Sequence, residues 1–289
     1  MRGVILSCFS VFCVGLFCLC LFVSNNLLVF WLFLELGALS LIPAFFLKGE
    51  SGVFISLFNY VIVSGVSSSL IIGGIIFNSL FFLTVLGLMM KFGLFPFMGW
   101  VYAVLLSSNW LVVWVFSTLL KTGFLFFPFF ISCGWNSWLL LSGCVFTFVL
   151  ASGLIWFYTY SWVYFWCHLM ICSSASLILM SVELSVDSLV LLFLVYVAWS
   201  SLVIFFLSGL DEMRLCGSSF YFWFVFLLVS FPGSMAIFYK LVIGSCIFSC
   251  GLWAFFFWVV YNVSEQFYLV KYLVGYGVPR LEWWGGLEV

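Results

Sequence analysis

The sequence predicts an all-α integral membrane protein with about ten transmembrane helices, and three observations predict this class. Of its 289 residues, 67% are hydrophobic and only 6% are charged, whereas soluble domains carry about 25% charged residues. The mean hydropathy is +1.38. The apolar runs are continuous rather than alternating, which favours helices over a transmembrane barrel. With a net charge of −1, nothing indicates a nucleic-acid-binding surface.

The individual spans follow from the lengths of the apolar runs, because a helix needs about 20 residues to cross a hydrocarbon core. Asn, Gly, Ser and charged residues separate runs near 3–23, 26–47, 53–77, 80–105, 109–131, 137–158, 161–181, 187–208, 217–243 and 244–263. We therefore expect a polytopic transmembrane domain over residues 1–263 and an interfacial C-terminal tail over residues 264–289, which contains Trp283 and Trp284.

Charged residues fall into two groups. One group lies between predicted spans, where a solvated loop explains it: Lys48, Glu50, Glu183, Asp187, Asp211, Glu212 and Arg214. Glu35, Lys91, Lys121 and Lys240 instead lie within spans, with Glu35 roughly 14 Å and Lys121 roughly 18 Å deep. A charge there costs at least roughly 2.5 to 3.5 kcal/mol, which favours a functional role over an ion pair kept only for packing.

Prolines interrupt two of the lysine-bearing spans. Pro96 follows Lys91 in the fourth span, and Pro232 precedes Lys240 in the ninth. These two spans are five positions apart in the order of spans, and so are the second span, with its glutamate, and the seventh, with His168. Because five is odd, a second copy of the unit enters the membrane from the opposite side. The spacing predicts an antiporter-like inverted repeat of five-helix units with two Pro-interrupted helices.

Buried lysines and glutamates exchange protons near neutral pH when desolvation and neighbouring charges oppose each other. If Glu35 faces Lys91, a change in their separation changes the proton affinity of Lys91. A proton then passes to Lys121 and on to Lys240 through water held at the broken helices. His168 is either a member of this relay or a hydrogen-bonded core residue, and both readings stay open.

The sequence offers no cofactor site that we recognise. A single histidine cannot provide bis-histidine haem ligation, and no phosphate-binding glycine motif occurs. The 11 cysteines have no iron–sulfur or zinc spacing and mostly lie in apolar runs, where they act as small hydrophobic residues. We expect no cofactor and no metal in this chain.

Several motifs resemble those of mitochondrial NADH dehydrogenase subunit 2. Residues 24–46, SNNLLVFWLFLELGALSLIPAFF, resemble a family signature in which a tryptophan precedes Gly-Leu-Glu-X-Asn and then Ile-Pro, so that Trp31, Glu35 and Pro43 match. Residues 88–100, LMMKFGLFPFMGW, resemble the family's Lys-X-Gly-X-X-Pro-Phe-His-X-Trp, which assigns the broken-helix lysine to Lys91.

Three further motifs continue the resemblance. FSTLLKTG at 116–123 has Lys121 where the family has its next channel lysine, and SFPGSMAIFYK at 230–240 gives Lys240 the distal channel role. CHLMICSSAS at 167–176 resembles the family's basic-residue, Ala-Tyr-Ser-Ser stretch, with His168 at the basic position. The sequence departs from the family at Gly37, Met98 and Leu120, where Asn, His and Gln are usual.

The resemblance implies an antiporter-like core subunit in the membrane arm of complex I, a multi-pass protein of the mitochondrial inner membrane that contributes to proton translocation. It also implies that NAD, FMN, iron–sulfur clusters and ubiquinone belong to other subunits. The implied partners are other membrane-arm subunits, including neighbouring antiporter-like subunits, and membrane lipids, but no nucleic acid. A bias towards Phe, Trp, Gly and Cys, whose codons are rich in T and G, agrees with an organelle gene.

Two other functions remain open. A free-standing cation/proton antiporter would share the fold and the lysine–glutamate chemistry. A purely structural membrane spacer would carry the same charges without using them.

Overall fold

The structure is a computed structural model, and it describes residues 2–24, 26–47, 52–77, 82–126, 137–211 and 218–277. Within these ranges the chain forms helices and no strands, so the predicted all-α class is confirmed. The α-helices are α1 (Arg2–Val23), α2 (Leu27–Ser40), α3 (Ile42–Phe45), α4 (Val53–Ile76), α5 (Phe82–Phe92), α6 (Gly99–Leu105), α7 (Trp110–Ser117), α8 (Ser137–Phe157), α9 (Trp162–Glu183), α10 (Val186–Asp211), α11 (Ser218–Leu227), α12 (Met235–Cys250) and α13 (Leu252–Gly277). A 3₁₀ helix, Leu119–Phe126, follows α7.

Six of the described helical segments are long and apolar enough to cross a membrane: Gly3–Val23, Leu27–Phe45, Val53–Ile76, Trp138–Phe157, Trp162–Glu183 and Val186–Asp211. Shorter apolar helices lie at Phe82–Phe92, Trp110–Leu125 and Met235–Cys250. Large apolar side chains such as Phe12, Phe54 and Phe205 point outward, as lipid-facing residues do. The chain is a multi-pass membrane protein. The count of about ten spans and the inverted repeat stay predictions.

Helix α9 lies at the centre of the molecule, and 89% of the residues in its most apolar stretch are buried. It packs against α6, α8, α10, α12 and the 3₁₀ helix. Its first turn is capped by the Ser161 hydroxyl, which accepts a hydrogen bond from the Tyr164 amide. The polar residues His168, Ser174, Ser176 and Ser181 of α9 therefore face protein rather than lipid.

The first predicted helix break is present between α5 and α6. Gly93 has a φ of 68°, a left-handed conformation that favours glycine, and the Phe95–Pro96 peptide is cis. The Met90 carbonyl accepts hydrogen bonds from the Gly93 amide and, at 2.9 Å, from the Trp100 indole. The break thus leaves Lys91 in the last turn of α5, next to irregular backbone.

The second predicted break, between α11 and α12, is also present. Gly233, directly after Pro232, has a φ of 88°, and the Ser234 hydroxyl caps α12 by accepting from the Ile237 amide at 3.2 Å. The Leu227 carbonyl at the end of α11 accepts from the Trp199 indole at 3.1 Å. Side chains from neighbouring helices therefore replace the lost helical hydrogen bonds.

A third break, which the sequence did not predict, divides the expected continuous span at 109–131. Helix α7 ends at Ser117, and the chain continues as a 3₁₀ helix that carries Lys121. The Thr118 hydroxyl donates to the Trp114 carbonyl at 2.6 Å, and the freed Ser117 carbonyl accepts from the Tyr196 hydroxyl at 2.8 Å. No proline or glycine lies at this break. Hydroxyl groups of Thr118 and Tyr196 stabilise it instead.

The end of the chain differs from the predicted boundaries. The last two helices meet at Gly251, which has a φ of 144°, rather than between residues 243 and 244. Helix α13 then runs to Gly277 without a break at Ser264, because an apolar face continues through Trp258, Tyr261 and Leu269. Residues 264–277 of the predicted interfacial tail are therefore helical, and Trp283 and Trp284 lie outside the described residues.

The structure describes three of the seven charged residues that were predicted to lie between spans. Glu183 and Asp187 flank the short connection between α9 and α10, and Asp211 ends α10, where it accepts a hydrogen bond from the Trp110 indole at 3.2 Å. The remaining four, Lys48, Glu50, Glu212 and Arg214, lie outside the described residues.

Candidate functional site

The structure pairs two of the predicted mid-span charges. Lys91 Nζ lies 3.1 Å from Glu35 Oε2, and the Ser64 hydroxyl donates to Glu35 Oε1 at 3.1 Å. The side chains of Lys91 and Glu35 are 16% and 20% exposed. Helices α2, α4 and α5 thus bring together an ion pair and its serine partner at a site where both charged side chains are partly exposed.

Lys121 lies deeper, with 3% exposure, and is held by dipoles instead of a carboxylate. Its Nζ donates to the Met170 carbonyl at 2.8 Å, the Ser173 hydroxyl at 2.6 Å and the Tyr196 hydroxyl at 2.9 Å. These three acceptors match the three N–H groups of an ammonium. No carboxylate in the described ranges lies within ion-pair distance of it.

Lys240 forms a second ion pair, with a partner that the sequence did not suggest. Its Nζ lies 2.9 Å from Glu265 Oε1 on α13, and the two side chains are 12% and 2% exposed. The Gln266 amide donates to Glu265 Oε1 and to the Leu228 carbonyl, both at 3.3 Å. Gln266 Oε1 accepts a hydrogen bond from the Ser230 backbone amide at 2.8 Å. Gln266 therefore ties the ion pair to the broken helix.

Two small cavities lie beside these three groups, and Ser173, a partner of Lys121, lines the second of them. The first, of about 50 Å³, is lined by Lys91, Lys121 and Ser64 among others. The second, of about 30 Å³, is lined by Ser173, Lys240 and Glu265 among others. One water needs roughly 10 to 15 Å³ of such volume, so that both cavities can hold water. Glu35–Lys91, Lys121 and Lys240–Glu265 thus form a row, which we call the charge row.

His168 lies apart from the charge row. It is buried on α9, and its Nδ1 is 2.8 Å from the Tyr102 hydroxyl on α6. Its Nε2 is buried and has no hydrogen-bond partner within the described part of the chain. The side chain lines neither of the two cavities. The geometry gives it a contact with tyrosine rather than with lysine.

A solved structure matches this chain by fold. In a structure of respiratory complex I from Thermus thermophilus with bound aureothin, one chain superposes with a TM-score of 0.74 and 17% sequence identity, over 92% of this chain and 70% of that chain. The two chains share a fold. No protein-family model matches the sequence, and no curated protein matches it.

Four residues of the site were not predicted from the sequence: Ser173, Tyr196, Glu265 and Gln266. Glu265 had a readable signal, because it shares a face with Trp258, Tyr261 and Leu269, which is the spacing of a buried helix stripe. No sequence pattern distinguishes the hydroxyls of Ser173 and Tyr196 from other hydroxyls in apolar helices.

The arrangement is able to take up and release protons. The charge row contains amines and carboxylates, the hydroxyls of Ser64, Ser173 and Tyr196 contact it, and each of these groups can accept or donate a proton. Among the described residues, no group of three or more His, Cys, Asp or Glu is placed to hold a metal ion. Gly37 and Leu120, two departures from the family pattern, line the first cavity.

Proposed function

We propose that this chain is a core membrane-arm subunit of respiratory complex I in the mitochondrial inner membrane, where it contributes a Glu/Lys charge relay to proton translocation. The observation that carries the proposal is the charge row, in which two ion pairs flank a lysine held by dipoles, and cavities large enough for water lie beside each of the three groups. The likeness in fold to a chain of the Thermus assembly supports the choice of complex.

The proposal includes ten spans in two five-helix units of opposite orientation. Counting α2 with α3, α5 with α6, α7 with the 3₁₀ helix, and α11 with α12 groups the described helices into ten. The Pro-broken helix is the fourth member of each unit, and it carries Lys91 in one and Lys240 in the other. Such repeats place broken helices around a shared pathway.

In the proposed mechanism, movement of Glu35 relative to Lys91 drives the relay. An ammonium in a low-dielectric site depends on its carboxylate, so that separating the pair changes the proton affinity of Lys91. The first cavity leads the proton towards Lys121, and the second leads it towards the Lys240–Glu265 pair. Each arrival places a positive charge next to the following site, which favours onward transfer by repulsion.

We propose that the redox chemistry takes place in other subunits, which would hold NAD, FMN, iron–sulfur clusters and ubiquinone. This chain would contact neighbouring antiporter-like subunits and lipid through its outward-facing apolar side chains. Its own role is then confined to proton movement.

The test is to change the first ion pair in the assembled complex. In Glu35→Gln and Lys91→Met variants, we expect fewer protons pumped per NADH oxidised, while the complex still assembles. The measurement combines NADH:quinone turnover with proton release in reconstituted vesicles. Asp187→Asn is the matched control, because this exposed carboxylate lies outside the charge row. Unchanged pumping in both ion-pair variants would favour the structural spacer.

The free-standing antiporter is separated by a different measurement. A complex I subunit should copurify with many chains and should show no exchange activity when reconstituted alone. If the purified single chain exchanged cations for protons at a substantial rate, the antiporter would replace the complex I assignment.

A further inference from the structure

The cavity beside the second ion pair contains a buried hydroxyl group with no oxygen or nitrogen partner among the described residues. Tyr261 on α13 is 4% exposed, and its hydroxyl interacts with the Cys172 thiol, which is a weak hydrogen-bonding group, but with no oxygen or nitrogen atom in the part of the chain that the structure describes. Buried hydroxyl groups are almost always hydrogen-bonded, to protein or to water. The cavity it lines has about 30 Å³, room for about two waters at roughly 10 to 15 Å³ each. A water in this cavity would satisfy the Tyr261 hydroxyl.

Ser173 connects this cavity to the central lysine. Its hydroxyl accepts from Lys121 Nζ at 2.6 Å and donates to the Met170 carbonyl at 2.8 Å, and its side chain also lines the cavity. Glu265, the carboxylate of the second ion pair, lines the cavity as well. The hydroxyl of Ser173 therefore contacts the central lysine and borders the space that contains the last carboxylate.

We propose that Ser173 and Tyr261 are relay residues that carry a proton between Lys121 and Glu265 through one or two waters held in this cavity. The proposal rests on the relay function proposed above and identifies the residues of its second half. Ser173 transfers the proton, and Tyr261 holds the water in place.

The step conserves atoms and charge. Rotation about the Cβ–Oγ bond of Ser173 turns its proton from the Met170 carbonyl into the cavity. An N–H bond of the Lys121 ammonium breaks as an O–H bond forms on Ser173, and the former Ser173 proton passes to the water. The water then releases a different proton to the Glu265 carboxylate. Lys121 ends as a neutral amine and Glu265 as a neutral acid, while Ser173 and the water are unchanged.

The functional test replaces each hydroxyl in the assembled complex. A positioned proton-transfer group typically contributes about 10²- to 10⁴-fold. We expect Ser173→Ala and Tyr261→Phe to slow pumped proton flux roughly tenfold to hundredfold, because extra water partly fills the space of the lost hydroxyl. Ser173→Thr keeps a hydroxyl and should restore most of the flux. Ser181→Ala is the matched control on the same helix, since its buried hydroxyl donates only to the Ile178 carbonyl at 2.6 Å.

A structural measurement adds a readout independent of pumping. A high-resolution structure of the assembled complex should show an ordered water within hydrogen-bonding distance of the Tyr261 hydroxyl and Glu265, and the Tyr261→Phe complex should lose it. A dry cavity in the unmodified complex would overturn the proposal.

The outcomes also separate this proposal from the general one. If Lys121→Met stops pumping while Ser173→Ala and Tyr261→Phe both pump normally, the second-half pathway is wrong and the charge relay stands. If Lys121→Met itself pumps normally, the relay function fails, and this proposal fails with it.

Discussion

The two ion pairs of the charge row have the same chemistry but different surroundings. Lys91–Glu35 spans 3.1 Å with side chains 16% and 20% exposed, whereas Lys240–Glu265 spans 2.9 Å with side chains 12% and 2% exposed. The first carboxylate also has a serine hydroxyl as a partner, and the second has a glutamine amide that is tied to the helix break. The depth of the carboxylate, rather than the pairing itself, therefore decides how strongly each lysine is required.

The largest effect is expected from Lys240→Met. The change leaves Glu265 buried without a counter-charge, and breaking a buried pair by removing one partner costs about 3 to 5 kcal/mol. We expect a lower yield of assembled complex and a marked drop in its midpoint of thermal inactivation. The double variant Lys240→Met with Glu265→Gln removes both charges and should recover most of the loss. A double variant as unstable as the single one would show that the lysine acts through packing.

Lys91→Met tests the comparison directly, and its effect should be smaller. Glu35 keeps the Ser64 hydrogen bond and remains 20% exposed, so that its unpaired charge is partly solvated. We expect a loss of about 1 to 3 kcal/mol, read as a smaller shift of the same thermal midpoint. Equal shifts for Lys91→Met and Lys240→Met would refute the idea that depth separates the two pairs.

Lys121→Met should affect stability still less, although it removes the most central charge. It leaves no carboxylate behind, and its former partners keep other hydrogen bonds: Ser173 still donates to Met170, and Tyr196 still donates to Ser117. We expect a loss of about 1 to 2 kcal/mol in stability together with a fall in pumped proton flux of about a hundredfold. The thermal midpoint and vesicle pumping assays report the two quantities separately, and a large drop in the midpoint would contradict the dipole-only environment.

Much of this picture could be predicted from the sequence. Membrane residence follows from composition, because only 6% of the residues are charged, and the all-α class follows from apolar runs that are continuous rather than alternating. The prolines at 96 and 232 marked two helix breaks, since a proline in the interior of a helix removes a helical hydrogen bond. The sequence suggested Glu35 and Lys91 as a pair only as a condition of the relay, and the contact itself comes from the structure.

Other features depend on tertiary contacts that a linear pattern does not reveal. The break after Ser117 requires a hydroxyl from Tyr196, which is 79 residues away in sequence. Glu265 falls in the predicted interfacial tail because the longest polar stretch of the sequence begins near Ser264, yet helix α13 places its carboxylate 2.9 Å from Lys240 Nζ. Local polarity outweighed the helical period there, and the period was the better guide.

The smallest expected effect, that of Ser64→Ala, tests why the first pair tolerates change. Its hydroxyl donates to Glu35 at 3.1 Å, and removing one hydrogen bond to a partly exposed carboxylate should cost about 0.5 to 1 kcal/mol. The more informative experiment is the double variant Ser64→Ala with Lys91→Met. Once Lys91 is replaced, Ser64 is the polar partner that the described residues still offer to the Glu35 carboxylate. We expect the double variant to lose more stability than the sum of the two single losses, and so to approach Lys240→Met. Strict additivity in this cycle would mean that solvation alone protects Glu35.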